Sequence, residues 1–290
     1  MFTGSLVAIV TPFRRGRLDE QTFSDLIEWQ IANGTNGIVP CGTTGESATL
    51  THDEHHRVVK LAVEVAKGRV PVIAGTGSNS TEEAISLTRH AKHDGADGAL
   101  LITPYYNKPT QEGLYRHYKA VAEAVDIPQI LYNIPGRTGV NMLPATVARL
   151  SVMKNIVGVK EGSGLVQQAS EIAQTCGDRI TVLSGDDPLT LPMMAVGAKG
   201  VITVTANVMP KEMAQLVASF LAGRIEEARR LHFKLSPLFA ALFYETNPIP
   251  VKEALGMMGK IDPELRLPLC AMGTENRSQL ARVLKEMGLI

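Results

Sequence analysis

GALLITPYYNKPTQEGLYRHYKAVAEAVDIPQILYNIPGRTGVNMLPATVARLSVMKNIVGVK, residues 98–160, holds the alternation that decides the fold. An apolar run at 98–103 gives way to an amphipathic stretch of helical period at 112–124, and apolar, β-rich runs return at 129–133 and 156–160. The same alternation continues in both directions. Further strand candidates cover 6–11, 37–41, 71–75, 180–184 and 200–205, and helical patterns cover 21–32, 53–66, 82–93, 166–175 and 211–221. Eight near-continuously apolar strands with helices between them, in a chain of 290 residues, fit a closed parallel (β/α)8 TIM barrel of the α/β class. An open doubly wound sheet is the rival. After the eighth strand the pattern changes: 225–243, 249–258 and 276–287 read as helices and no strand follows. The expected organisation is a catalytic barrel over 1–223 and a C-terminal helical region over 224–290 packed on it, with no low-complexity linker between them.

Composition narrows the partners. The 29 basic and 29 acidic residues cancel, so no strong field draws nucleic acid or an anionic membrane, and neither partner is expected. Cys41, Cys176 and Cys270 lie far apart, odd in number and without a C-x-x-C pair, which suggests neither a disulfide framework nor a zinc ribbon. The opening MFTGSLVAIVTPF lacks a charged leader and is stopped by Pro12, so it reads as a strand. No run approaches the length of a membrane span, and a cytoplasmic protein is the expectation.

Side chains at the C-terminal ends of barrel strands converge on one mouth. The polar residues expected there are Thr11, the run Cys41-Gly42-Thr43-Thr44-Gly45-Glu46-Ser47, Thr76, Tyr105, Tyr106, Tyr132, Arg137, Lys160, Ser184-Gly185-Asp186 and Thr203. Lys160 is the one lysine that ends a strand. An amine nucleophile has to be neutral, and burial or a nearby cation disfavours the ammonium. Such a lysine attacks a ketone, loses water and forms an iminium, an electron sink that needs a proton shuttle but no metal. The plainer reading is a rim lysine paired with Glu161. Tyr132, one strand away, can relay protons or be a half-buried core tyrosine. Arg137 follows a Pro- and Gly-rich turn, and its planar fork suits a carboxylate or, more plainly, solvent. In 42–46 the glycines let backbone N–H groups approach an anion and the threonines add hydroxyls, so the loop could seat a small carboxylate or a phosphate.

Other patterns carry less. His52 and His56 stand one helical turn apart but lack the H-E-x-x-H order and an evident third ligand, so no metal is expected. Gly75-Thr76-Gly77 lacks the third glycine of a dinucleotide fingerprint, and no cofactor is expected. The 11 methionines read as core filler.

GSLVAIVTPF, GTTGES, PVIAGTGSNSTEEAI, TPYYNKP, QILYNIPGRTG, VKEGSG, LSGDD, GVITVTANV and NPIPVK together span nearly the whole chain. With these motifs the sequence resembles the dihydrodipicolinate synthase family of the pyruvate-dependent aldolase superfamily. The resemblance implies that Lys160 forms a Schiff base with pyruvate and that Tyr132 passes protons during imine formation and cyclisation. It implies that Thr43 links Tyr132 to Tyr106 of a neighbouring subunit, and that Thr43 and Thr44 bind the pyruvate carboxylate. Arg137 would bind the carboxylate of L-aspartate-4-semialdehyde, and Gly185 and Ile202 would supply backbone contacts beside the lysine. The implied product is (4S)-4-hydroxy-2,3,4,5-tetrahydrodipicolinate, which feeds diaminopimelate and lysine synthesis, and the implied assembly is a homotetramer, a dimer of dimers. Sialic acid lyases share the lysine and tyrosine but lack the R-T-G arginine. The Tyr105-Tyr106 segment counts against the sugar-acid dehydratases. A non-catalytic oxo-acid or lysine sensor is the alternative of another class, but sensing needs no nucleophile.

The same resemblance implies a feedback site for L-lysine at a dimer interface, formed by Ser47, Ala48, His52, His55, Asn79, Glu83 and Tyr105. The plainer reading of that cluster is a helix N-terminus, with Asp53 and Glu54 near the positive end of the dipole. Lys108 stands where some relatives carry arginine.

Overall fold

The computed structural model describes residues 2–290. Eight parallel strands form the barrel: β1 (Gly4–Ala8), β2 (Gly37–Val39), β3 (Ile73–Gly75), β4 (Gly98–Ile102), β5 (Gln129–Asn133), β6 (Ile156–Glu161), β7 (Thr181–Ser184) and β8 (Gly200–Thr203). Their order is β2-β1-β8-β7-β6-β5-β4-β3. The seam between β2 and β3 closes through a parallel bridge from Ile38 to Val72. Ile38 N–H donates to Pro71 O at 2.9 Å there, and Gly75 N–H donates to Pro40 O at 2.9 Å. A Cβ on Gly75 would stand 2.2 Å from Cys41 O, so the seam closes because residue 75 has no side chain. The barrel is therefore closed, and the open-sheet rival falls.

Alternation along the strands divides the core. Leu6, Ala8, Val39, Ile73, Leu100, Ile130, Tyr132, Leu183 and Ile202 fill the barrel interior. Their sequence neighbours, such as Val7, Leu131, Val159 and Val182, pack outward against the helices. Those helices are α1 (Glu20–Ala32), α2 (His52–Ala66), α3 (Thr81–His93), α4 (Gln111–Ala124), α5 (Pro144–Leu150), α6 (Val166–Cys176), α7 (Thr190–Ala195) and α8 (Pro210–Leu221). Asp19, Thr51, Ser80 and Thr110 cap the first four by accepting from backbone N–H groups that have no helical partner. At α2 the cap is reciprocal, since the Glu54 carboxylate accepts from Thr51 N–H at 3.0 Å.

Three more helices follow: α9 (Ile225–Ala241), α10 (Ile249–Met257) and α11 (Thr274–Glu286). Leu235, Leu238, Val251, Leu255 and Leu280 are buried in the same core as the outward faces of the strands. Most strands begin or end a residue or two away from the expected limits. The reading missed the small hairpin Phe13–Arg14/Arg17–Leu18 and the short helices α5 and α7. No helix among the described residues is long and apolar enough to cross a membrane.

Candidate active site

Register sets the centre of the site. Lys160 on β6 lies directly beside Tyr132 on β5 and Leu183 on β7, both interior residues. The lysine therefore points into the barrel. Glu161, one residue on, points the opposite way. Its carboxylate accepts from Asn133 Nδ2 at 3.0 Å, Gln168 Nε2 at 3.0 Å and Ser163 N–H at 2.7 Å. The two-residue period of the strand thus removes the plain reading of Lys160 as a partner of Glu161.

Lys160 is 5% exposed, and its Nζ lies 4.2 Å from the centroid of the Tyr132 ring. Burial lowers its pKa from 10.5 to about 8, the Asp187 carboxylate opposes that shift, and the Arg137 charge adds to it. Burial pushes the Tyr132 phenol the other way, up to about 12, while Arg137 and the Thr43 hydroxyl restrain it. An amine shifted toward neutrality therefore sits against a phenol that keeps its proton. Asp187 is buried, its Oδ2 accepting from Val204 N–H at 3.1 Å and Thr205 N–H at 2.7 Å. Burial raises its pKa as well.

A cavity of about 450 Å³ opens beside Tyr132. Thr43, Tyr132, Arg137 and Asn247 line it, and so do Ser47, Ala48, His52, His55, Glu83 and Tyr105. Lys160 is not in the lining. The Thr44 hydroxyl accepts from Asn247 Nδ2 at 3.0 Å, and Arg137 Nη2 donates to Asn247 O at 2.9 Å. Of the two threonines, Thr43 lines the cavity and Thr44 does not. Gly185 lies beside Lys160: a Cβ there would stand 3.1 Å from Lys160 Cγ and 3.1 Å from Glu161 O. Ile202 is buried inside the barrel.

Tyr106 stands apart. It is 88% exposed, has φ 72° and does not line the cavity. Within one chain it is not brought to Tyr132. The Lys108 stem crosses Gly139, where a Cβ would meet Lys108 Cε at 2.7 Å. In the histidine cluster, His52 Nε2 pairs with Glu83 Oε1 at 3.0 Å, and Ser78 Oγ donates to the other carboxylate oxygen. The Ser78 hydroxyl, then His52, hold the Glu83 carboxyl below its usual range. His55 Nε2 bonds Gly75 O at 2.7 Å and its Nδ1 is buried without a partner. Burial lowers its pKa. His56 stacks on His90 at 3.9 Å and not toward His52. Asn79 lies outside the cavity lining, its carbonyl accepting from Asn107 Nδ2 at 2.8 Å.

Sequence reasoning overlooked Asn247 and Lys252. Lys252 Nζ donates to Glu46 Oε1 at 2.6 Å, and both side chains are almost wholly buried. Asn247 and Lys252 belong to NPIPVK, which the search of strand ends passed over because it lies beyond the barrel.

The family model for the dihydrodipicolinate synthetase family matches residues 1–287. A 4-hydroxy-tetrahydrodipicolinate synthase of Geotalea uraniireducens (strain Rf4) is 64% identical over 290 residues, the full length of both chains. A dihydrodipicolinate synthase of Acinetobacter baumannii, described as chloride-inhibited and complexed with pyruvate, superposes with a TM-score of 0.98 at 50% identity over the whole of both chains. One from Cyanidioschyzon merolae, solved with lysine bound, gives a TM-score of 0.96 at 40% identity, covering 100% of this chain and 99% of that one. Over a barrel whose register sets a buried lysine beside a tyrosine, this likeness is full-length, and the chain belongs to the dihydrodipicolinate synthetase family.

Proposed function

We propose that the chain is a 4-hydroxy-tetrahydrodipicolinate synthase, a Schiff-base-forming lyase that condenses pyruvate with L-aspartate-4-semialdehyde. The observation that carries the residue assignment is the Lys160 amine, buried and shifted toward neutrality, over the Tyr132 ring. The amine attacks the keto carbon of pyruvate, and the carbinolamine loses water to give an iminium. The methyl group then loses a proton, and the enamine carbon attacks the aldehyde of the second substrate. The amino group of that substrate displaces Lys160 from the former keto carbon. The ring closes as (4S)-4-hydroxy-2,3,4,5-tetrahydrodipicolinate, and one water is released overall. Tyr132 donates a proton to the departing hydroxyl and takes one back at cyclisation, with Thr43 as its hydroxyl neighbour. Thr43 and the Thr44 backbone receive the pyruvate carboxylate. Gly185 and Ile202 bound the space around the amine, and Arg137 receives the carboxylate of the semialdehyde.

Tyr106 serves a neighbouring subunit, a reading supported by its exposure at the tip of a loop. The assembly we propose is a dimer of dimers. Residues 1–223 form the catalytic barrel and 224–290 a helical region packed on it. Three unpaired cysteines suit a reducing cytoplasm. L-Lysine is the effector: the ionised Glu83 suits its ammonium, and Ser47, Ala48, His52, His55 and Tyr105 line the same cavity, with Asn79 at its edge.

The test is borohydride trapping. The protein is incubated with pyruvate, reduced, digested and mapped. A pyruvate adduct on the peptide carrying Lys160 is expected, and no adduct on Lys160→Ala. An adduct elsewhere removes the assignment. With Arg137→Ala, adduct formation persists while KM for the semialdehyde rises about a hundredfold, the loss of a charge-assisted carboxylate contact. Collapse of adduct formation instead would reverse the division of roles. L-Lysine at millimolar concentration lowers the rate of the coupled reaction, and an unchanged rate rejects the effector.

A further inference from the structure

Lys252 and Glu46 meet where three parts of the chain cross. Besides its bond to Glu46, Lys252 Nζ donates to Thr11 O at 3.0 Å and lies 4.5 Å above the Phe13 ring. The second oxygen of Glu46 accepts from Arg266 N–H at 3.1 Å. Thr11 Oγ1 donates to Gly45 O at 2.7 Å, and Glu46 N–H donates to Thr43 O at 3.1 Å. The exit of β1, the 42–47 loop and α10 are therefore tied at one buried point.

Stability alone does not account for this tie. Glu46 has φ 54°, a left-handed conformation that glycine adopts at less cost. Its charge and that of Lys252 are both removed from water, and such a pair is commonly no more stabilising than apolar side chains of the same volume. Two unfavourable choices at one residue leave geometry as the benefit. That residue closes the turn containing Thr43 and Thr44.

Resting on the function proposed above, we infer that Lys252 is a positioning residue for pyruvate capture. Through its ion pair with Glu46 it holds the 42–47 loop in the conformation that presents Thr43 and the Thr44 backbone to the keto acid's carboxylate. Lys252 touches neither substrate. Lys160 and Tyr132 stand on β6 and β5 and Gly185 at the exit of β7, and of these Tyr132 meets the loop through the Thr43 hydroxyl.

The test compares wild type with Lys252→Met and with the double variant Glu46→Gln/Lys252→Met, which removes both charges at nearly constant volume and keeps the proposal testable where the single variant folds poorly. Pyruvate half-saturation is read by borohydride trapping on folded protein. In either variant it rises by about tenfold or more, while KM for the semialdehyde at saturating pyruvate moves less than about twofold. The pH midpoint of adduct formation stays where wild type has it, because the surroundings of Lys160 are intact. A lowered Tm with wild-type pyruvate half-saturation means a merely structural pair and overturns the inference. Equal loss for both substrates overturns it too. Failure of wild type to form any adduct would overturn the proposed function first, a result distinct from variants that behave like wild type.

Discussion

In the proposed reaction Lys160 exchanges stability for chemistry. At pH 7 an amine of pKa about 8 is roughly one-tenth neutral, against about one part in three thousand at 10.5. Below pH 8 the folded chain carries the full cost of a buried ammonium. Between about 8 and 10.5 the unfolded chain binds a proton that the folded chain has shed, so this residue's contribution to stability improves as pH rises through that window. Two outcomes follow from the same shift. The rate of pyruvate adduct formation at low pyruvate climbs with pH through a midpoint near 8 and levels off above it, which stopped-flow trapping across pH 6–10.5 would read. A midpoint near 10 would mean that the amine is solvated. Lys160→Met, near in volume and without the charge, abolishes the adduct yet stabilises the fold at pH 7 by up to about 3 kcal/mol in denaturant titrations. A variant less stable than wild type would show that the ammonium is not strained. Tyr132→Phe leaves the cavity its shape but removes the phenol hydroxyl, and if that group shuttles the proton as proposed, kcat falls by about a hundredfold or more.

At the scale of the element, β6 shows what the sequence discloses. The run 156–160 was legible because it is apolar, β-rich and ends in a lysine. Its pairing with β5, which places Lys160 beside Tyr132, follows from the barrel order. The hairpin at 13–18 was not legible, since strands of two residues cannot display a period of two. Helices α5 and α7, of 7 and 6 residues, are too short for a 3.6-residue stripe to declare itself, and α7 contains Pro192. Asn247 was invisible for another reason: its partners Thr44 and Arg137 lie 203 and 110 residues away. No local pattern encodes contacts that only the folded chain creates. The β7 exit offers an element-scale test. In Gly185→Ala the new methyl faces two backbone groups and Lys160 Cγ at 3.1 Å, so β6 and β7 have to part by a few tenths of an ångström. The expected result is adduct formation slowed by about tenfold with Tyr132 chemistry otherwise intact, since small displacements near a reacting centre are costly. A wild-type trapping rate would mean that the strand end yields freely.

For the whole molecule the question is whether one chain is enough. The barrel assembles amine, phenol, threonine and arginine by itself, yet it leaves Tyr106 on the surface, 88% exposed at the end of an outward loop. A large aromatic held in left-handed backbone and offered to solvent fits a side chain whose partner lies on another copy of the chain, and a closed twofold dimer would make the exchange reciprocal. Complementation separates the two possibilities. Tyr106→Phe lacks the donated hydroxyl, and Lys160→Ala lacks the nucleophile. If the tyrosine crosses the interface, a mixed dimer contains one site with every group intact, because the Lys160→Ala subunit lends its Tyr106 to the other. Random pairing makes half the dimers mixed, so co-refolding equal amounts of two nearly inactive proteins restores about a quarter of wild-type activity. If Tyr106 serves its own barrel, every mixed site lacks one group or the other. Activity after co-refolding then equals the average of the two parents.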